Sequence, residues 1–189
     1  MKNALILHGA GNDHTGNWFP WLKKELGQQG YKVWVPDLPN SEAPVLKDWL
    51  EAIFKSDWVF DEDSIIVGHS AGATLILRIL EKLPKAVKIN KAILVAGFIF
   101  LGKHPEYFKY KESILEKPFD FKKIKASAKH FYFIHSDNDK YDCGVENGEI
   151  LKEKLGGKLI IMKGQKHFSS GDPGGEKYFR FDELLNYID

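Results

Sequence analysis

The sequence contains little cysteine and little net charge, and each absence excludes a class of protein. Its one cysteine, Cys143, cannot form an intramolecular disulfide, and it rules out a zinc site built from several cysteines. A lone thiol fits a reducing compartment, which favours a cytoplasmic location. Since 27 Lys and Arg nearly balance 26 Asp and Glu, the net charge of +1 gives no pull toward nucleic acid or an anionic membrane.

Long apolar runs are also missing. No run approaches the length needed to span a membrane. The N-terminal run breaks at His8 and Gly9, too soon for the core of a signal peptide, and is typical of a buried strand. The length of 189 residues suits one core, so 1–189 is predicted to form a single domain.

Short apolar runs alternate with longer helical patterns along the chain. The predicted strands are 4–9, 31–37, 64–69, 91–97, 130–136 and 158–164, and the predicted helices are 18–29, 45–55, 71–83, 145–155 and 178–188. The runs are almost continuously apolar, as in strands that are covered on both faces. The alternation predicts a three-layer α/β/α fold with a mostly parallel sheet of about six strands. Sites in such sheets form beyond the carboxyl ends of the strands.

The region 98–129 does not fit this alternation. It is aromatic-rich and is interrupted by Pro105 and Pro118. Because it is too long for a simple connection, it is predicted to form a small cap or one wall of a pocket. The alternative is a surface excursion with short helices.

The stretch "IIVGHSAGA" places Ser70 in a Gly-x-Ser-x-Gly pattern. A nucleophile elbow needs a strand, a very tight turn and a helix, with small residues on either side of the serine. The run 64–67 supplies the strand, Gly68 and Gly72 are small, and an apolar helix pattern follows. The context predicts that Ser70 is a nucleophile.

A base and an acid must follow the serine, in the order acid then histidine. Of the seven histidines, His167 alone has both this chain order and a loop position after the last strand. The acid candidates lie in "HSDNDKYDCG". Asp139 is favoured because the loop can turn toward His167 there. Asp137 is the alternative, and Asp142 suits a helix cap. A calcium loop is excluded, because Tyr141 and Asp142 stand where that motif needs a ligand and a glycine.

The oxyanion hole needs two backbone N–H groups. Ala71, at a helix start, is predicted to supply one, and Ala10 in "HGAG" the other, with Gly9 as the alternative. The same glycine loop could indicate a dinucleotide site, with Asp37 at the end of the second strand. However, His14 stands where the third glycine would be required, which argues against nucleotide binding.

With "HGAG", "PDLP", "GHSAG", "SDND" and "KHF" in this order, the chain resembles the α/β-hydrolase superfamily. Within it, the chain is similar to small single-domain serine hydrolases of the YdeN and retinoblastoma-binding-protein type, over essentially its whole length. The resemblance implies Ser70 as nucleophile, Asp139 as acid and His167 as base. The chain departs from that type after the acid, where Lys140 replaces a frequent proline.

These residues predict a carboxylesterase-like enzyme that cleaves a small ester, or an amide or thioester, through an acyl-enzyme on Ser70. Trp18, Phe98 and Phe168 are predicted to line an apolar pocket. No cofactor or metal is expected, the expected partner is a small-molecule ester, and no nucleic-acid or membrane partner is expected. The alternatives are a protein-binding module on a hydrolase scaffold and an acyltransferase.

Overall fold

The computed structural model describes residues 1–188 and contains one six-stranded sheet. Its strands are β1 (Asn3–Leu7), β2 (Lys32–Trp34), β3 (Ser64–His69), β4 (Ile89–Val95), β5 (Ala128–Ser136) and β6 (Lys158–Met162). The order is β2-β1-β3-β4-β5-β6, and all neighbouring pairs are parallel. The predicted α/β class and strand number are therefore confirmed.

The α-helices are α1 (Phe19–Gln28), α2 (Leu46–Phe54), α3 (Ala71–Lys82), α4 (Phe121–Ala126) and α5 (Val145–Leu155). Short 3₁₀ helices span Pro105–Tyr110, Glu176–Phe179 and Asp182–Tyr187. Within residues 1–188, every helix is too short or too polar to cross a membrane.

The predicted final helix at 178–188 is wrong. Two 3₁₀ helices replace it, separated by Arg180 in an extended conformation. Tyr178 and Phe181 on either side of this break both pack against Phe168. Tertiary packing of these rings overrides the helical periodicity of the sequence.

The region 98–129 is divided between two roles. Its second part contains α4, which is the crossover helix between β4 and β5 and contacts α3 and α5. Its first part contains the 3₁₀ helix Pro105–Tyr110 and lies beside the carboxyl ends of the strands, where Phe98, Tyr107 and Tyr110 line a cleft.

Burial explains why the central strands read as continuous apolar runs. Every residue of β1 and β3 is buried, whereas the edge strands β2 and β6 keep exposed positions. The chain runs from β1 to β2 at one edge of the sheet. It then returns, so that β3 lies on the other side of β1. The loops after β1 and β3 therefore diverge, which opens a crevice at their carboxyl ends.

We expect Gly72→Ala to destabilise the fold, because a Cβ at Gly72 would lie 2.3 Å from the His8 carbonyl oxygen. Backbone cannot retreat as a flexible side chain can, so the free energy of unfolding should fall by roughly 2–4 kcal/mol. Gly27→Ala is the matched control, since a Cβ there meets nothing within 4 Å and alanine favours the helix. Urea unfolding of both variants checks this, and equal stabilities would contradict it.

Candidate active site

Ser70 lies at a sharp turn between β3 and α3. Its backbone has φ 53° and ψ −119°, a conformation that side chains other than glycine rarely adopt. The turn is fixed on both sides, because the Ser70 amide donates to Val95 O at 2.9 Å and its carbonyl accepts from the Thr74 amide at 3.1 Å. This strained strand–turn–helix geometry is the one that a nucleophile elbow requires.

The two glycines of the motif permit this turn. A Cβ at Gly68 would lie 2.5 Å from Gly72 O, and one at Gly72 would meet both Leu7 O and His8 O. The start of α3 therefore lies directly against the end of β1. Small residues at both positions are a requirement of this packing.

His167 lies in the loop after β6, and its backbone is held in a strained turn. Both of its neighbours, Lys166 and Phe168, have positive φ, at 55° and 54°. The His167 carbonyl accepts a hydrogen bond of 2.7 Å from Nε2 of His69, the residue before Ser70. This hydrogen bond joins the turn at Ser70 directly to the loop after β6.

Asp139 reaches this histidine. His167 Nδ1 donates to Asp139 Oδ2 at 2.7 Å, the Asp139 side chain is completely buried, and its other oxygen accepts from the Tyr141 amide. Burial alone would raise the pKa of Asp139, but the charge and hydrogen bond of His167 outweigh it, so the pKa lies below its ordinary value. The carboxylate is therefore ionised and fixes the tautomer of His167.

The loop after β5 is held in register with the loop after β6. Each of the four consecutive residues 136–139 uses its side chain to bind the loop 164–167. The pairs are Ser136 with the Gln165 amide, Asp137 with the Gly164 amide, Asn138 with the Lys166 amide and Asp139 with His167. This series of bonds brings Asp139 opposite the histidine.

The other acid candidates have different partners. Asp137 Oδ1 accepts from the Gly164 amide at 2.8 Å and shapes the loop. Asp142, which suited a helix cap, does not cap α5. Its Oδ2 accepts from the amides of Lys103 and His104 instead, and Gly144 is the N-cap residue of α5.

The remaining histidines are engaged elsewhere or lie away from the serine. Three are buried and hydrogen-bonded to backbone, namely His8, His69 and His135. Burial lowers the pKa of each, and that of His69 falls to about 3, with the nearby His167 as a second cause. His14 pairs with Asp37, so the Asp37 carboxylate holds the glycine-rich loop.

The predicted oxyanion donors lie at the same place. Ala10 and Ala71 both line a cleft that also contains Ser70 and His167. Among the described residues, no carbonyl in a turn or loop accepts from either amide. Ala71 is also the first residue of α3, where the helix dipole favours negative charge.

The cleft has a volume of about 440 Å³, in the range of small-molecule sites. Ser70 and His167 both face it, and the Ser70 hydroxyl has no hydrogen-bond partner among residues 1–188. Catalytic hydrogen bonds often close only when a ligand is bound. Phe98 also lines the cleft.

Trp18 and Phe168 do not line the cleft. Both are completely buried, and the Trp18 indole donates to Phe168 O at 3.3 Å. Each ring packs against Phe181, so the two residues belong to the core beneath the site. Their large apolar surfaces are better covered in the core than at an open wall.

Two groups of side chains have the composition of metal ligands. Asp139, Cys143 and His167 hold ligand atoms within 4.8 Å of one another, and so do the exposed Asp13, His14 and Asp37. In the first group the acid and the imidazole already bond to each other, and burial raises the pKa of the Cys143 thiol. That chemistry disfavours a bound cation there.

Three residues around the site, Tyr141, Asp172 and Lys111, are not predicted from the sequence. Tyr141 packs its ring 4.6 Å from that of His167 and donates its hydroxyl to Asp172. Lys111 lines the cleft. Tyr141 follows Asp139 by two positions, which could have indicated it, but nothing in the sequence distinguishes Lys111 from its exposed lysine neighbours.

A parallel sheet with a strained serine at a strand–helix turn defines the α/β-hydrolase fold. Comparison with known proteins agrees, because residues 4–181 match the model of the serine hydrolase family. The chain belongs to this family.

Three proteins illustrate the relationship. YdeN of Bacillus subtilis (strain 168) is 35% identical over 99% of this chain and 96% of its own, and its crystal structure superposes with a TM-score of 0.86. Serine hydrolase RBBP9 of Rattus norvegicus is 27% identical over 98% of this chain and 92% of its own. Est1E of Butyrivibrio proteoclasticus, solved with ferulic acid, is 15% identical over 100% of this chain and 90% of its own, and shares the fold with a TM-score of 0.65.

The buried histidines predict a loss of stability in mild acid. An unfolded histidine titrates near pH 6.5, whereas the pKa of His69 in the fold is about 3. Between these values the unfolded chain binds more protons, so the free energy of unfolding should decrease as the pH falls, by up to about 1.4 kcal/mol per pH unit for each such histidine.

Urea unfolding at pH 7 and pH 5 measures this dependence. His69→Gln should reduce the pH dependence, because glutamine does not titrate and can still donate to the His167 carbonyl. His130→Gln is the matched control, since His130 is exposed. An unchanged pH dependence in His69→Gln would contradict the prediction.

Proposed function

We propose that the protein is a carboxylesterase-like serine hydrolase that cleaves small esters through an acyl-enzyme on Ser70. The observation that carries the proposal is the 2.7 Å hydrogen bond between His167 Nδ1 and the buried Asp139. His167 and Ser70 line the same cleft. Family membership supports hydrolase chemistry. The roles of the individual residues rest on this geometry.

In the proposed first step, Ser70 Oγ attacks the carbonyl carbon of the ester and its proton passes to His167 Nε2. Asp139 keeps the Nδ1 proton in place and stabilises the imidazolium that forms. The negative oxygen of the tetrahedral intermediate would accept hydrogen bonds from the amides of Ala10 and Ala71. His167 then returns the proton to the departing alkoxide oxygen.

In the second step, His167 takes a proton from water, which attacks the acyl carbon and releases the acid. Ser70 recovers its proton as the acyl–oxygen bond breaks, so no cofactor is consumed. The volume of the cleft, about 440 Å³, suits a small ester better than a long acyl chain. Est1E, which shares the fold and was solved with ferulic acid bound, supports a small molecule as the substrate.

A fluorophosphonate probe tests the nucleophile. The probe forms a covalent bond with an activated serine, so the wild-type protein should be labelled and Ser70→Ala should not be. Ser64→Ala is a suitable control, because Ser64 lies at the opposite end of β3 and should leave labelling intact. Absence of labelling in folded wild-type protein would overturn the proposal.

The acid assignment is tested by comparing two aspartates of one loop. Asp139→Asn should reduce kcat by about 10³–10⁴-fold, because asparagine favours the wrong tautomer of His167. Asp137→Asn should retain most activity, since an amide oxygen can still accept from the Gly164 amide. Hydrolysis of p-nitrophenyl acetate measures both variants. The reverse ranking would assign the acid to Asp137.

A further inference from the structure

The charges that line the cleft are unbalanced. Among the described residues on its wall, Lys111 is the one lysine or arginine, and no aspartate or glutamate lines it. The predicted oxyanion amides and the first turn of α3 add positive potential to the same cleft. The cleft therefore presents a cationic surface to whatever enters it.

Lys111 is buried, with only 3% of its surface exposed. Its ammonium donates to Leu101 O at 3.2 Å and to Tyr141 O at 2.8 Å, and it lies 4.9 Å from the centre of the Phe98 ring. No carboxylate of residues 1–188 pairs with it, and its third N–H has no acceptor among them. An ammonium buried without an anion is unfavourable unless another group compensates its charge.

Three carboxylates in the loops after β5 and β6 already have partners of their own. Asp139 accepts from His167, Asp142 accepts from the amides of Lys103 and His104, and Asp172 pairs with Lys140 and Tyr141. These donors reduce the negative potential that the three acids project into the cleft. Among the described lysine, arginine, aspartate and glutamate residues, Lys111 is therefore the one that lines the cleft and that a bound molecule meets.

We propose that Lys111 selects esters that carry a second, free carboxylate, by pairing with that carboxylate while Ser70 attacks the ester carbonyl. The inference rests on the proposed esterase function and deepens it from small esters to anionic ones, such as monoesters of short dicarboxylic acids. A carboxylate would accept the unused N–H and supply the missing counter-ion. The cleft volume of about 440 Å³ favours substrates in which the two functional groups are close together.

A purely structural role is the competing explanation. Through Leu101 O and Tyr141 O, Lys111 also joins the wall of the cleft to the loop that carries Asp139. Loss of that connection would disturb the hydrolysis of every ester alike. If Lys111 instead selects anionic substrates, its loss should change the ratio of kcat/KM for an anionic ester to kcat/KM for a neutral ester.

The test uses two esters of one shape. One is the p-nitrophenyl monoester of glutaric acid, and the other replaces its free carboxylate with a primary amide. In Lys111→Met the ratio of kcat/KM for the anionic ester to that for the neutral ester should fall at least about tenfold relative to wild type. Lys109→Met is the control, because Lys109 lies exposed on the 3₁₀ helix Pro105–Tyr110, just before Lys111, and its ratio should match wild type.

An unchanged ratio in a folded Lys111→Met variant would overturn the inference, and so would an equal loss on both esters. If that variant does not fold, inhibition of the wild-type protein at fixed ionic strength tests the inference instead. Glutarate should inhibit hydrolysis of the neutral ester at least about tenfold more strongly than glutaramide, and equal inhibition would overturn the inference. Failure of the wild type to hydrolyse either ester would instead count against the proposed function.

Discussion

The close approach of α3 to the end of β1 is the constraint on which the site depends. Gly72 lies against the carbonyls of Leu7 and His8, with no space for a side chain. The chain can make this contact only by turning sharply between β3 and α3, which places Ser70 in a strained conformation. The same contact brings the first helical amides beside the loop after β1, so one packing event positions both the hydroxyl and the proposed oxyanion donors.

The loop after β6, which carries His167, is hydrogen-bonded both to the turn at Ser70 and to the loop after β5, which carries Asp139. His69 binds the His167 carbonyl, and the side chains of 136–139 bind the backbone or side chain of 164–167. Because these loops follow adjacent strands, β5 and β6, the parallel sheet sets their separation and the polar side chains set their register. The pairing of Asp139 with His167 is a consequence of that register.

Most of the fold could be predicted, because continuous apolar runs and helical periodicity are local properties of the sequence. The position of Ser70 could be predicted for the same reason, since the elbow is formed by neighbouring residues. The pairing of Asp139 with His167 depends on two loops, so spacing alone left Asp137 as an alternative. The burial of Trp18 beneath the site and the charge of Lys111 within it depend on contacts between distant segments, which carry no local signal.

Four of the seven described residues that have positive φ and are not glycine lie at the cleft or beside His167. Of the residues with positive φ that are not glycine, Ser70 and Asn17 line the cleft, and Lys166 and Phe168 flank His167. Such conformations cost about 1–3 kcal/mol each and persist only where the surroundings enforce them. At Ser70, the fully buried strands β3, which precedes it, and β1, against which α3 packs, provide that enforcement. The precision of the site is therefore a property of the core, and changes in β1 or β3 should act on the site as well as on stability.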